Sequence, residues 1–318
     1  MATYKGIQGT AVQSLSSDPP AEEAVGQLWY NSTSGDFKIA VSGAGAWASG
    51  GDLQEGRGTA GAASNAPVGT AMLFGGEPPT TAATETYNGT SWTEVGDLTA
   101  ARHGLFGFGT QTAAVGAGGA GEVTTVDIWN GTSWAAGTGI PVATTNGCGA
   151  GTSTTGLIMG GTPPASGTTL AATFDGSAWT VTGSLLTARW KPGAFGTSAA
   201  AISAGGGPGT ALVESFNGTS WTEVGDLNTA RKGAGSSGTQ ALGMLYGGAP
   251  PATLAITETW NGTSWTEVAD LASGRSALRG CGTTTSAALA IGGEPYPIGA
   301  YVEEYNDPVY VVKTVTVS

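Results

Sequence analysis

Six Gly-Gly pairs, each closing a short apolar run, recur along the chain at intervals of 42 to 45 residues: Gly75-Gly76, Gly118-Gly119, Gly160-Gly161, Gly205-Gly206, Gly247-Gly248 and Gly292-Gly293. A period near 45 marks a repeat architecture, in which each unit buries its apolar face by stacking on its neighbours. A chain built so largely of one unit leaves little room for a unique catalytic constellation. Loops carried on a symmetric scaffold become the expected place for function.

Aligned on Gly-Gly, the unit reads Arg, a Gly-rich stretch, Gly-Thr, an apolar run, Gly-Gly and a Pro-rich loop. It continues with acid-x-aromatic-Asn-Gly-Thr-Ser-Trp-Thr-Glu-Val and then Asp-Leu. Four strands fit, and around Gly247 they fall at Lys232 to Gly238, Leu242 to Tyr246, Thr257 to Trp260 and Ser264 to Val268. Asn-Gly at Asn88, Asn130, Asn217 and Asn261, with Asp175-Gly176 as a variant, stands between an aromatic and a Trp, a strong hairpin signal. Short strands, tight turns and no helical period predict an all-β fold. The order Gly-Gly, aromatic, Trp over residues 45 to 306 resembles the kelch repeat, which implies a six-bladed β-propeller with four-stranded blades. Its Gly-rich first strands, such as Gly233 to Gly238, predict a narrow central channel.

The aromatic of the last unit, Tyr305, has no Trp after it, whereas Trp47 precedes the first Gly-Gly at one repeat length from Trp92. Residues near Gly45 to Ala48 are therefore expected to supply the last blade's outer strand, closing the ring and removing an open edge. Val309 to Val317, which alternates apolar and polar residues, is a rival for that slot or an added strand. The expected domains are an extension at 1–44, the propeller at 45–306 and a strand or tail at 307–318.

Five units carry Arg at the start of the first strand and an acid two residues before the aromatic: Arg57 with Glu85, Arg102 with Asp127, Arg189 with Glu214, Arg231 with Glu258 and Arg275 with Glu303. The remaining unit has Thr144 and Ala172 at these positions, so both partners vanish together. This predicts a bridge within each blade, because a buried guanidinium without its carboxylate is costly. A ring of arginines for an anionic ligand is the alternative.

Trp47, Trp92, Trp134, Trp179, Trp221 and Trp265 repeat once per unit, as packing between blades requires; sugar stacking is the functional alternative. Trp190 breaks the pattern, and is either a ligand contact or local packing. The loops after Gly-Gly differ between units and are rich in Pro, which leaves little entropy to lose on binding. Candidate ligand contacts are Glu77, Pro78, Pro79, Pro163, Pro164, Trp190, Pro208, Pro250, Pro251, Glu294 and Tyr296. Protection of exposed turns is the other reading of these prolines.

With 23 acidic against 11 basic residues, a formal charge of −12 and no basic run, nucleic-acid binding is not expected. No stretch is apolar enough over a bilayer's width, and Met1 opens no secretory leader, so neither membrane insertion nor classical export is expected. Cys148 and Cys281 lie in first strands of opposite blades and read as unpaired thiols. His103 is the only histidine, and no carboxylate pair breaks the repeat for glycoside hydrolysis. No enzyme activity, metal or cofactor is expected.

Gly26 to Lys38 (GQLWYNSTSGDFK) reads as a hairpin, Leu28-Trp29-Tyr30 and Phe37 to Val41 about a Ser-Thr-Ser-Gly turn. The segment is similar to a short module of tailed-phage virion proteins, notably tail-fibre proteins. With the Asn-Gly-Thr-Ser-Trp repeats, the chain resembles kelch-like structural proteins of marine phages. The resemblance implies a virion component assembled in the host cytoplasm, present in multiple copies, with other virion proteins as partners. Docking to them is expected through Leu28, Trp29, Tyr30 and Phe37. The role expected is adhesion to host-surface polysaccharide or protein through the loops. The alternatives are a capsid decoration or connector protein, and a glycan-active enzyme.

Overall fold

Each repeat turns where its sequence demands a turn, and four strands result. In the computed structural model, which describes residues 12–315 apart from 22, 25, 250, 296, 297 and 308, the fifth repeat forms Gly235–Gly238, Gly243–Tyr246, Thr257–Trp260 and Trp265–Val268. All pair antiparallel in chain order. Asn261 makes the last hairpin: its side-chain oxygen accepts the backbone N–H groups of Thr263 and Ser264, each at 2.9 Å, and Trp260 faces Trp265 across the pair. The second strand ends at Gly-Gly because the backbone turns left-handed there, with φ of 67° at Gly247 and 103° at Gly248. A Cβ on Gly247 would also stand 2.7 Å from the Arg275 carbonyl oxygen.

The chain divides into two compact units, residues 46–306 and residues 1–45 with 307–318. The larger unit holds six four-stranded antiparallel sheets. Five are consecutive in sequence. In the sixth, Ala46–Ser49 pairs with Val302–Asn306 and sets Trp47 opposite Tyr305, the position taken by Trp92 opposite Tyr87 in the first. The slot thus goes to the strand that the Trp47 spacing predicts.

The six sheets follow one another cyclically. Each first strand lies beside the first strand of the next sheet: Gly61–Ala62, Phe106–Thr110, Cys148–Thr152, Gly193–Gly196, Gly235–Gly238, Arg279–Cys281, and then Gly61–Ala62 again. The apolar cores lie between sheets. Phe74 packs with Trp129 and Trp134, Val115 with Ile158, Leu157 with Phe216, Ile202 with Leu245, Met244 with Tyr305, and Leu289 with Leu73. Outer-strand tryptophans reach back to the preceding sheet. The indole N–H donates to Thr84 Oγ1 from Trp134, to the Gly225 carbonyl from Trp265 and to Thr257 Oγ1 from Trp47, each at 3.0 Å. Trp92, Trp134, Trp221 and Trp265 are buried, which removes them as sugar platforms.

A second set of links joins the sheets near the start of each first strand. Two residues past each Arg position stands a residue in the left-handed region: Thr59, Gly104, Asn146, Lys191, Gly233 and Ala277, with φ between 49° and 67°. Five backbone hydrogen bonds string these six residues into a hoop. The N–H of Gly233 donates to the Lys191 carbonyl, Lys191 to Asn146, Asn146 to Gly104, Gly104 to Thr59 and Thr59 to Ala277, at 2.6 to 2.9 Å.

The smaller unit forms a seventh sheet, where the sequence predicted a hairpin at one end of the chain and a strand or tail at the other. The hairpin pairs Leu28–Asn31 with Asp36–Gly43 antiparallel. Gln13–Leu15 adds in parallel on one side, and Val309–Thr314 adds antiparallel to Asp36–Gly43 on the other. The last strand is therefore an added strand in this sheet. Trp29 is only 2% exposed, packed with Ala24 and Ala40, and its indole N–H donates to Asp18 Oδ1 at 3.0 Å.

Trp47 makes ring contacts with Tyr246 and Tyr305 at 4.9 and 5.3 Å, joining the first residues of the larger unit to its last two sheets. Trp47→Ala should lower the unfolding free energy of this unit by about 3 kcal/mol, the low end for truncating a packed Trp. Urea denaturation followed by circular dichroism measures it. A loss below about 0.5 kcal/mol would mean that the strand does not hold the cycle together.

Candidate functional site

The five arginines and five acids meet within their own sheets. Arg57 Nη1 lies 2.5 Å from Glu85 Oε1, Arg102 Nη2 2.5 Å from Asp127 Oδ2, Arg231 Nη1 2.8 Å from Glu258 Oε1 and Arg275 Nη2 2.9 Å from Glu303 Oε1. Arg189 pairs with Glu214 in the same way. All ten side chains are buried. Burial is the main influence lowering the guanidinium pKa of Arg102, Arg189, Arg231 and Arg275, and the adjacent carboxylate opposes it.

These pairs organise the backbone around them. The Arg275 guanidinium also donates to the carbonyls of Gly292 and Tyr301 at 2.9 and 2.6 Å, and Arg102 donates likewise to Gly118 and Thr125 at 2.7 and 3.0 Å. The second carboxylate oxygen accepts a backbone N–H from the segment leading into the Arg: Gln54 to Glu85, Leu186 to Glu214, Asn228 to Glu258 and Ala272 to Glu303, at 2.7 to 2.9 Å. In the third sheet Thr144 and Ala172 are buried in place of the pair, and Thr144 Oγ1 donates to the Val142 carbonyl at 2.8 Å. Arginines so engaged leave no ring of free cations for a ligand.

The loops after Gly-Gly meet the segments that follow each Arg. Short antiparallel bridges join Gly58 to Glu77, Thr145 to Thr162, Lys232 to Ala249 and Ser276 to Glu294. The N–H groups of Ala120 and Gly207 donate to the carbonyls of His103 and Trp190. Pro78, Pro79, Pro163, Pro164, Pro208, Pro251 and Pro295 are exposed there. Glu77 is engaged locally, its carboxylate 3.4 Å from His103 Nδ1 and accepting from Thr59 Oγ1 at 3.3 Å. Pro250 and Tyr296 lie outside the described residues.

Two concavities open among these loops. One, of about 610 Å³, is lined by Trp190, Lys191, Lys232, Pro251, Thr253 and Glu294 among others. The other, of about 320 Å³, is lined by Glu122, Asn146, Thr162, Pro163, Ala165 and Trp190. The structure thus brings Trp190, Pro251 and Glu294 together, sets Pro163 against Trp190, and places Glu77, Pro78, Pro79, Pro164 and Pro208 outside both hollows. Trp190 is half-buried. Gly207 admits its indole, since a Cβ there would stand 2.1 Å from Cε2 and Nε1, and the Lys232 ammonium lies 4.2 Å from the ring centroid. The indole is therefore packed locally and is also the wall between two hollows.

Lys191 and Lys232 were not among the candidates from sequence. Both stand just after an Arg, where other units have Gly58, His103, Thr145 or Ser276 and Thr59, Gly104, Asn146 or Ala277. That departure from the repeat is the signal that would have found them. A cavity of about 30 Å³ is lined by residues of the first strands and their approaches, among them Gly107, Gly149, Gly235 and Gly280. A Cβ on Gly280 would meet the Ser236 carbonyl oxygen at 2.4 Å, so the inner strands touch only because glycine stands there.

Of the four docking residues expected in the smaller unit, Trp29 is withdrawn into that sheet's core; Leu28 and Tyr30 are half-buried and Phe37 is 44% exposed. A flat docking face made of all four does not form. Tyr30 and Phe37 stay within ring contact at 5.3 Å.

No protein-family model matches this sequence, and no curated protein matches it.

Arg231→Met should destabilise the larger unit by about 3–5 kcal/mol, because Glu258 is left buried and unpaired, whereas Arg231→Met with Glu258→Met should cost clearly less than the two single changes together. Denaturant titration of the four proteins gives the coupling, and additive losses would sink the pairing. Both thiols are free, and burial is the main influence raising their pKa values, to about 12 for Cys281. The folded protein at pH 8 should therefore leave both thiols essentially unreacted with a thiol-exchange dye over minutes, and the unfolded chain should titrate both.

Proposed function

We propose that the six-sheet cycle is a six-bladed kelch-like β-propeller, and that the protein is a non-enzymatic virion component of a tailed phage that contacts the host surface through the loops after Gly-Gly. One observation carries the binding role. Exposed loops that differ between the repeats, five of them carrying Pro, stand on a rigid scaffold, and Pro163, Pro251 and Pro295 from three of them line two hollows that share Trp190. Nearly everything else in the repeats is spent on mutual packing and paired charges, so the positions free to vary are those that face outward at this end. The propeller reading is supported by the cyclic order of first strands, by apolar cores between successive sheets and by completion of the last sheet by Ala46–Ser49. The virion reading is supported by the resemblance of Gly26 to Lys38 and of the repeats to phage structural proteins. The smaller unit would then dock on another virion protein, with Phe37 as its exposed aromatic.

Replacing Pro78-Pro79 and Pro163-Pro164 with Gly-Ser should reduce adhesion of the purified protein to host cells at least about fivefold, a loss of roughly 1 kcal/mol, while leaving the fold intact. Flow cytometry of labelled protein measures it. Immunogold labelling of particles with antibody against residues 46–306 should mark the tail or its fibres. Label spread over the head with no cell adhesion would replace adhesion by decoration.

A further inference from the structure

Residues 46–306 contain eight Lys and Arg. Five are the arginines held by their carboxylates. The other three are Lys191, Lys232 and Arg279, and they are neighbours at one place. Lys191 and Lys232 line the 610 Å³ hollow, and Arg279 lines the small axial cavity. Arg279 spends its guanidinium on main-chain carbonyls, donating from Nε to Ala60. Among the described residues none of the three makes an ion pair, although the chain as a whole carries −12. Two unpaired cations lining one hollow, with Arg279 near enough to repel Lys191, make a local field opposite to the net charge of the molecule.

Lys191 is held there at a conformational cost. Its φ is 49°, in the hoop position where two other repeats place Gly and one places Asn, residues that accept this geometry readily. Its aliphatic stem runs over Gly233, with Cδ 3.9 Å from where a Cβ there would lie. Burial is the main influence pushing its ammonium below the usual lysine range; Glu294 and Glu77 oppose this, and Arg279 and Lys232 reinforce it. An anion would relieve both the desolvation and the repulsion. The single carboxylate lining this hollow, Glu294, pairs with neither lysine.

We propose that this hollow binds an acidic saccharide, with the carboxylate or sulfate group of the sugar held by the Lys191 and Lys232 ammoniums and the positive field reinforced by Arg279. About 610 Å³ suits a few sugar rings. The remaining lining fits a sugar's mixed surface: Thr253 and Ser276 supply hydroxyls, and Pro251, Pro295 and the exposed part of Trp190 supply apolar faces. The choice of a saccharide over another anion rests on the reading of the protein as a host-surface adhesin; the charge of the site does not.

Isothermal titration calorimetry of the full chain tests the proposal with two acidic probes, hexagalacturonate and a heparin hexasaccharide, against neutral maltohexaose and the acidic peptide hexaglutamate. At least one acidic saccharide should bind about tenfold or more tightly than both controls. Lys232→Gln and Lys191→Gln should each weaken it about fivefold or more, and raising NaCl from about 50 to about 500 mM should weaken it further. Lys232→Gln is the decisive variant if Lys191→Gln perturbs the fold, because Lys232 is not in the hoop. No preference for the acidic saccharides over maltohexaose overturns the proposal, as does equal binding of hexaglutamate or undiminished binding by Lys232→Gln. Cell adhesion lost on loop replacement but retained in Lys232→Gln would overturn this site while leaving adhesion standing. Acidic-saccharide binding without cell adhesion would keep the site and remove the adhesin reading.

Discussion

The backbone hoop is the constraint from which the geometry of the larger unit follows. Each link is a main-chain hydrogen bond of ordinary strength, worth about 1 kcal/mol net. Its consequence is positional. With one residue per sheet fixed in the left-handed region and five of the six bonded to the preceding sheet, the first strands leave the hoop side by side. They can do so only if little projects between them, and the Gly content of these strands meets that condition, as at Gly280 against Ser236. The outer strands then splay apart, and the large aromatics fill the widening gaps: Trp134 beside Phe74, Trp265 beside Phe195. Small residues inside and large ones outside form one gradient, set by the close approach at the hoop.

The buried ion pairs act on a different link of the same structure. A pair taken out of water gains little in stability over an apolar replacement, and the third sheet has the same four strands with Thr144 and Ala172 in place of the pair. Their contribution lies in direction. One carboxylate oxygen is held by the guanidinium and the other by a backbone N–H of the lead-in segment, while the guanidinium also reaches the first Gly carbonyl of the Gly-Gly pair in several sheets. Three pieces of chain distant in sequence are thereby fixed at the end of the sheet where the variable loops begin.

The parts of the fold that repeat were legible in the sequence because they repeat. Six occurrences of Gly-Gly, aromatic and Trp separate a structural requirement from chance, and the joint loss of Arg and acid at Thr144 and Ala172 reveals a contact without any coordinates. The hoop was not legible. Its members are Thr, Gly, Asn, Lys, Gly and Ala, and a shared φ leaves no shared side chain to align. The seventh sheet was only half legible: the Leu28 to Val41 hairpin carries its own turn signal, whereas Gln13–Leu15 and Val309–Thr314 are defined by pairing with it, over distances that periodicity does not report. Trp29 looked like a docking residue because its burial depends on those two added strands and on Ala24.

Symmetry also decides where specificity can reside. A feature present in all six sheets points in six directions around the cycle and cannot by itself distinguish one side of the mouth from another. The paired charges contribute almost no net field, since each guanidinium is neutralised within its own sheet. What remains is the set of residues that break the repeat, and at the loop end these are concentrated on the fourth and fifth sheets: Trp190 and Lys191 on one, Lys232 on the next, with Gly207 small enough to admit the indole. Gly at Lys191, as at Gly104 and Gly233, would relieve the backbone, and Thr or Ser at Lys232, as at Thr145 and Ser276, would cost no buried contact of the ion-pair network. Their occurrence together at one hollow therefore belongs to recognition more readily than to folding.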